Sequence, residues 1–473
     1  MNKYKTLLSN TVIFAIGTFS SKVLVFLMLP FYTNILTTEE YGTVDLLVQS
    51  SNVLLPLVSV GIINGVVRFG LDKHYRKRDV FTTGLLSILG GFLLLLALSP
   101  VIRMFSFFQG HMVLLYSFIL MSSLRSLCSQ FVRARGLVRL YAFDGILATA
   151  TTIFFNILYL AVLRLGITGY MLAMFSSDLL SVIFLTFSAR LWKYLHLKGL
   201  NRGTSRDMLR YSVPLIPNTM MWWITNVSDR YIVTWALGLA INGLYGIAYK
   251  VPSIITLVSG LFMDAWQMSA VIENDQDRER FFSKVFSYYQ ALIFTGASGL
   301  ILCCKLMTLI LNPSYYDAWR YMPFLLMATV FNCMVSFLGT VYMVEKKSMM
   351  NMATTVVGAV LNIVLSWLLV QVPVFEANGA TFATFASYFV VFLLRAANTR
   401  RFIRIRMHAG KMAFNTIILL IQTLVMLTEP AFWLPVELVL TAVMVLTNMG
   451  ELWATVRRVL VRVLRNRAAK STH

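Results

Sequence analysis

Runs of about twenty consecutive apolar residues recur along the whole of this 473-residue chain, each bounded by charged or turn residues, and they constrain its fold more than any other feature. A bilayer core offers the backbone no water, so each run must close its hydrogen bonds internally as a helix. Fourteen runs are expected to span, at roughly 8-36, 42-69, 80-102, 112-132, 141-164, 167-189, 211-237, 243-270, 283-311, 319-343, 349-371, 378-397, 412-428 and 431-451. A chain that is 58% hydrophobic and 13% charged has too little polar surface to be an ordinary soluble protein. The expected class is therefore an all-α polytopic membrane protein. The first run, after MNKYKTLLSN, is long enough to span and lacks a small-residue cleavage site, so it is read as a helix and not as a removed signal.

The net charge of +21 suggests nucleic acid only until its distribution is examined. With the N-terminus inside, Lys and Arg concentrate in the inner connections and the tail, and only Arg103, Arg164 and Arg320 fall at outer ends. Both termini are thus expected in the cytoplasm, with an even number of spans. The basic stretches Arg190 to Arg210 and Arg457 to Lys470 read first as topology determinants and second as contacts for anionic lipid. Every outer connection is about ten residues or fewer, which leaves no loop large enough for an enzyme's active site. The four cysteines, Cys128, Cys303, Cys304 and Cys333, lie in apolar runs without disulfide or zinc spacing and are expected to pack. No metal site and no catalytic constellation is expected.

The two halves repeat. Tyr41-Gly42 after the first run is matched by Tyr245-Gly246 after the seventh, Asn156 by Asn362, and Gly169 by Gly379. Six spans return the chain to its starting side, so the repeat is parallel. The expected organisation is a six-helix bundle over 1-210, a second over 211-400, and two extra helices with a basic tail over 401-473.

Charges inside the runs mark the candidate site. Lys22 shares a narrow helical stripe with Thr11, Thr18 and Thr33, and the corresponding helix of the second repeat carries Asn218, Trp222, Thr225 and Asp229. The following helices carry Asp45, Gln49, Asn52, Pro56 and Ser59 on one face, and Lys250, Ser253, Leu257 and Asp264 on the other. These four faces are expected to line a cleft between the bundles. Exposing Lys22, Arg68, Arg125, Arg230, Lys250 and Lys305 together to lipid would cost on the order of 15 to 20 kcal/mol. Arg68, close to the inner boundary, reads either as a cavity cation or as an interfacial anchor. Asp229-Arg230 reads either as a site pair or as a local charge pair. Arg125, Lys305, Asp144 and Asp178 read more readily as structural, while Pro214, Pro217 and Pro252 are candidate bend points.

The fourteen spans, the duplicated six-helix unit, the first-span stretch ending TTEEYG and the NPSYYDAW connection after the ninth span resemble bacterial polysaccharide flippases of the Wzx type. These belong to the multidrug/oligosaccharidyl-lipid/polysaccharide exporter (MOP) superfamily. The resemblance covers nearly the whole chain through loose patterns. It implies a multi-pass protein of the bacterial plasma membrane, not an enzyme, that translocates an undecaprenyl-diphosphate-linked oligosaccharide from the cytoplasmic to the outer leaflet by alternating access. Membrane lipids, a polysaccharide polymerase and glycosyltransferases are the implied partners, with no nucleic acid. No cofactor is implied. Coupling is left open between H+, Na+ and membrane potential, with Asp45, Asp229 and Asp264 as ion-site candidates. Lys22, Lys250, Arg230 and Arg68 would meet the diphosphate, and Trp222, Asn218, Gln49 and Asn52 the sugars. A lipid II flippase shares this architecture; a cation-coupled drug exporter and a membrane glycan polymerase fit less well.

Overall fold

The TTEEYG stretch folds as a helix start. Thr37 Oγ1 accepts the Glu40 backbone N–H at 3.2 Å while the Glu40 carboxylate accepts that of Thr37 at 2.9 Å, so two donors left over at the helix end are satisfied reciprocally. Glu39 and Glu40 also place negative charge in the first turn, where the helix dipole favours it.

The computed structural model describes residues 26–102, 110–196, 200–272, 278–345 and 347–471, and within them there is no strand. The helices that matter below are, in chain order, α1 (Leu29–Ile35), α2 (Thr38–Val58), α3 (Ile62–Leu71), α4 (Lys77–Ala97), α5 (Met112–Ala134), α6 (Val138–Asn156), α7 (Gly166–Ala189), α8 (Arg202–Ser212), α9 (Ile216–Leu237), α10 (Leu239–Ala248), α11 (Pro252–Ile272), α12 (Arg278–Leu309), α13 (Met322–Val344), α14 (Ser348–Val370), α15 (Ala377–Thr399), α16 (Ala409–Thr428) and α17 (Trp433–Ser471). Among the described residues ten helices are long and apolar enough to cross a membrane, and two bent pairs bring the number to as many as twelve. Of the two further expected spans, the first lies mostly outside the described residues, and the seventh is helical over Ile216–Leu237. The chain is a multi-pass membrane protein.

Both bent pairs have local causes. Helices α2 and α3 meet at 55°, where Pro56 interrupts the hydrogen-bond ladder and Val60 and Gly61 both take positive φ. Gly61 is required there for space as well, since a Cβ would lie 2.7 Å from the Ser212 carbonyl oxygen. Helices α10 and α11 meet at 42°, with Pro252 opening the second segment. Pro217 falls in the first turn of α9 and Pro214 in the 3-10 segment before it, so all three expected proline positions sit at helix boundaries.

The chain forms two compact units. The first runs up to Thr234 and adds Gly238–Gly243; the second takes Trp235–Leu237 and everything from Leu244 onward. In the first unit, Val66, Val80, Leu127, Phe131 and Met208 form one fully buried cluster among α3, α4, α5 and α8. Leu47, Leu95, Leu115, Ile119 and Met171 form another among α2, α4, α5 and α7. In the second unit α13 is the central helix: Phe337 stacks on Trp266 at 4.6 Å, and Phe331 meets Phe389 edge-on at 4.9 Å.

Within the first unit, α2 and the start of α10 cross without intervening side chains. A Cβ on Gly42 would overlap the Leu239 carbonyl oxygen, and one on Gly243 would overlap that of Thr38. Asn242 Nδ2 donates to the Gly42 carbonyl at 3.0 Å across this crossing. The repeat is visible in packing too. Gly169 abuts the Tyr159 carbonyl and Gly379 the Leu369 backbone, ten residues earlier in both cases, where a Cβ would come within 3.0 Å and 2.6 Å. Asn156 and Asn362 are both buried.

Substituting Gly42 or Gly243 by Ala should therefore lower stability by about 1–3 kcal/mol through overpacking, whereas Gly90→Ala, where the space is open, should not. Thermal unfolding of the purified variants in detergent checks this, and melting unchanged in all three would show that the crossing is not tight.

Candidate functional site

The polar face read on α2 is real, and its first member is committed to a partner. Asp45 Oδ2 lies 2.7 Å from Arg230 Nε of α9, with both side chains almost wholly buried. The pair is held by charge, the N–H being off the line of a good hydrogen bond. One turn along α2, Gln49 Nε2 makes a long 3.5 Å contact to Asp45 Oδ1, and Asn52 Nδ2 continues the row to Gln49 Oε1 at 3.4 Å. Beside them Ser50 Oγ and Tyr231 Oη are 2.6 Å apart. Asp229 is buried as well, and its carboxylate accepts the Arg230 backbone N–H at 2.9 Å. The structure thus assembles Asp45, Gln49, Asn52, Asp229 and Arg230 into one row of charges and amides inside the first unit. An isolated ion there would cost several kcal/mol, and pairing offsets that cost.

Lys250 belongs to the second unit and sits in the turn between α10 and α11, half-buried, at the break of the bent pair. Its N–H reaches back three residues to the Ile247 carbonyl and its own carbonyl accepts from Ser253 Oγ, which is how an interrupted helix satisfies freed backbone groups. A cation at a helix break is a recurrent way to build a polar site at membrane depth. Arg68 lies at the end of α3, exposed, with its guanidinium over the Tyr211 ring at 5.1 Å. Lys22 lies outside the described residues, as do the side chains of Asn218, Trp222 and Asp264.

The other charges in the spans find structural partners. Arg125 bonds Asp178 at 2.9 Å and lies 3.9 Å from Asp144. Lys305 pairs with Glu429 at 2.8 Å between the rings of Trp319 and Trp433. Among the described residues no group of three or more His, Cys, Asp or Glu could hold a metal ion.

Two buried charges escape a reading based on long apolar runs. Arg395 of α15 is 4% exposed and donates to the Val335 and Asn351 carbonyls and to Thr354 and Thr355 hydroxyls at 2.9–3.1 Å, with no carboxylate at ion-pair distance among the described residues. Its sequence position, near the end of an apolar run before Arg400 and Arg401, makes it look like an inner-loop cation. Glu437 of α17 is fully buried; its Oε2 accepts from Gln422 Nε2 at 2.9 Å, and Gln422 in turn accepts from Ser298. The signal was an acid inside LPVELVL, the last apolar run.

The family model of polysaccharide biosynthesis proteins matches residues 7–266 of this chain, more than half of its length. Among solved structures, the inward closed form of the lipid II flippase MurJ matches 94% of this chain and 99% of its own at 13% identity, with a TM-score of 0.70. An inward-facing multidrug resistance MATE family transporter of the MOP superfamily matches 82% and 98% at 14% identity, TM-score 0.64. Its outward-facing counterpart matches 84% and 95% at 14%, TM-score 0.57. At such identities the likeness shows a common fold. No curated protein matches in sequence.

Removing one member of the buried pair should be far worse than removing both. Asp45→Ala or Arg230→Ala alone is expected to cost about 3–5 kcal/mol, and the double variant distinctly less than the sum. Melting of the three variants in detergent measures the coupling, and simple additivity would mean that the two side chains do not interact.

Proposed function

Because the chain belongs to the polysaccharide biosynthesis protein family, we propose that it is a flippase carrying an undecaprenyl-diphosphate-linked oligosaccharide from the cytoplasmic to the outer leaflet of the bacterial plasma membrane. The observation that carries this reading is the row from the buried Arg230 and Asp45 through the half-buried Gln49 to Asn52. A diphosphate calls for a guanidinium, and sugar hydroxyls call for amides. Both are present here on adjoining helices inside an otherwise apolar chain.

The geometry suggests how binding would act. Arg230 is occupied by Asp45, so an incoming phosphate must displace that carboxylate. Exchange of one anion for another keeps the guanidinium compensated throughout, and it frees Asp45 to take up H+ or Na+. Head-group binding and ion binding would thereby be linked at one residue, and each ligand would shift the equilibrium toward the state it contacts better. Lys250 at the α10–α11 break, together with Lys22, would supply further positive charge, and Trp222 and Asn218 would add an aromatic face and an amide toward the sugars. Asp229 and Asp264 are the further ion-site candidates. Alternating exposure of this site to the two sides of the membrane would complete translocation. The distribution of Lys and Arg supports a cytoplasmic location for both termini.

Cells lacking this protein should accumulate the lipid-linked oligosaccharide on the cytoplasmic leaflet and lose surface polysaccharide. Lys22→Ala and Lys250→Ala, present at normal protein levels, should reproduce the loss; wild-type polymer from both would exclude a cationic head-group site. Accumulation of lipid II in place of an oligosaccharide would instead assign the peptidoglycan precursor as cargo. Cysteines placed in the Lys73–Arg78 connection should resist labelling from outside, and labelling there would invert the topology.

A further inference from the structure

Apart from the Asp45–Arg230 row, the first unit contains an open cavity of about 560 Å³ lined by Ile63, Asn64, Val67, Arg68, Gln130, Arg133, Tyr211 and Leu215. Its two cations come from different helices, Arg68 from α3 and Arg133 from α5. Arg125 and Arg230 in the same unit are each matched by a carboxylate, but neither Arg68 nor Arg133 has one at ion-pair distance among the described residues. Their contacts are with neutral groups. Arg68 lies over Tyr211 at 5.1 Å; Arg133 lies over Tyr141 at 5.6 Å and reaches Gln130 Oε1 at 3.4 Å. The Asn64 and Gln130 amides and the Tyr211 hydroxyl add neutral donors to the same walls, and the rest is aliphatic.

A neighbouring cavity of about 650 Å³ shares Arg68 and Tyr211 but is lined also by Asp72, Asp207 and a further cation, Arg210. The His74 backbone N–H, 2.9 Å from Asp72, holds that carboxyl below its ordinary range, so a charged carboxylate stands among the cations of this chamber. An anion approaching the shared Arg68 meets carboxylates on that side and none on the other. The acid-free chamber offers two guanidiniums, amide donors and an apolar wall at the end of the spans, which is the chemistry of a phosphate joined to a hydrocarbon chain.

We propose that the cavity between Arg68 and Arg133 binds the phosphate head group of a membrane lipid, with both guanidiniums on the phosphate and the Ile63, Val67 and Leu215 wall along the start of its chain. The site is distinct from the Asp45–Arg230 row and does not depend on the identity of the translocated cargo. Two sources supply this chemistry, an anionic phospholipid and a polyprenyl diphosphate.

Native mass spectrometry of the detergent-purified full chain, incubated in separate arms with phosphatidylglycerol against phosphatidylcholine and with undecaprenyl diphosphate, tests the assignment. The wild type should retain at least one of the two anionic lipids in preference to phosphatidylcholine. R68Q/R133Q should weaken that retention by about tenfold or more, R68K/R133K by less, since charge remains while the planar fork is lost. R139Q, outside the cavity, should bind as the wild type. Because Arg68 and Arg133 are exposed, the variants should fold, and unchanged melting verifies it. Equal retention by wild type and R68Q/R133Q, or an equal loss in R139Q, would overturn the proposal. The lipid whose retention falls identifies the source.

Discussion

A charge inside a membrane-spanning helix must find its compensation within the protein, and the internal order of this molecule follows from where each one finds it. Asp45 is answered by Arg230 across α2 and α9, Asp178 and Asp144 by Arg125 across α5, α6 and α7, and Lys305 by Glu429. Each pair ties together helices that apolar packing alone would leave free to slide, because Leu against Leu is nearly as favourable one turn further along. The glycine crossing of α2 and α10 complements the pairs. It brings backbones close enough for Asn242 to reach the Gly42 carbonyl, fixing the register in which Asp45 sits.

Those pairs also explain which parts were legible in the sequence. Helix number and class come from apolar length, a property that tertiary context cannot override in a bilayer. The assignment of Arg125, Asp144 and Asp178 as structural follows from the same cost argument, as does the row on α2, whose spacing of four and three residues is helical. What the sequence leaves open is which cation meets which anion. Asp229 and Arg230 are chain neighbours, yet the Arg230 guanidinium turns to Asp45, far away in the chain. The break after Val58 is likewise hidden. Pro56 is visible, but neither the positive φ at Val60 nor the Ser212 backbone lying against Gly61 is.

The motifs that carried the family resemblance have a physical role of their own, and it is not at the site. TTEEYG is a capping box followed by the glycine of a helix crossing. In NPSYYDAW, Asn312 Oδ1 accepts from the Ser314 backbone and hydroxyl, Pro313 opens a 3-10 turn, and Tyr315 and Trp319 are buried beneath it. Both are devices for starting a helix at a fixed place and angle. Such devices serve any cargo, which is why they mark the superfamily fold while the residues that would meet a cargo follow no comparable pattern.

The setting of Arg395 has an electrical consequence. Arg230 travels with Asp45, so a joint movement of that pair through the transmembrane field transports no net charge. The partners of Arg395 are carbonyls and hydroxyls, which orient toward the guanidinium but cannot cancel it. Any rearrangement that shifted α15 along the membrane normal would therefore be opposed or driven by the voltage according to its direction, by up to about 2.3 kcal/mol per 100 mV for a full traverse. Loss of a proton does not readily switch this charge off, since a guanidinium keeps its proton throughout the physiological range. Were α15 to move in that way, Arg395 would make the step sensitive to the energised state of the membrane whatever ion the site binds.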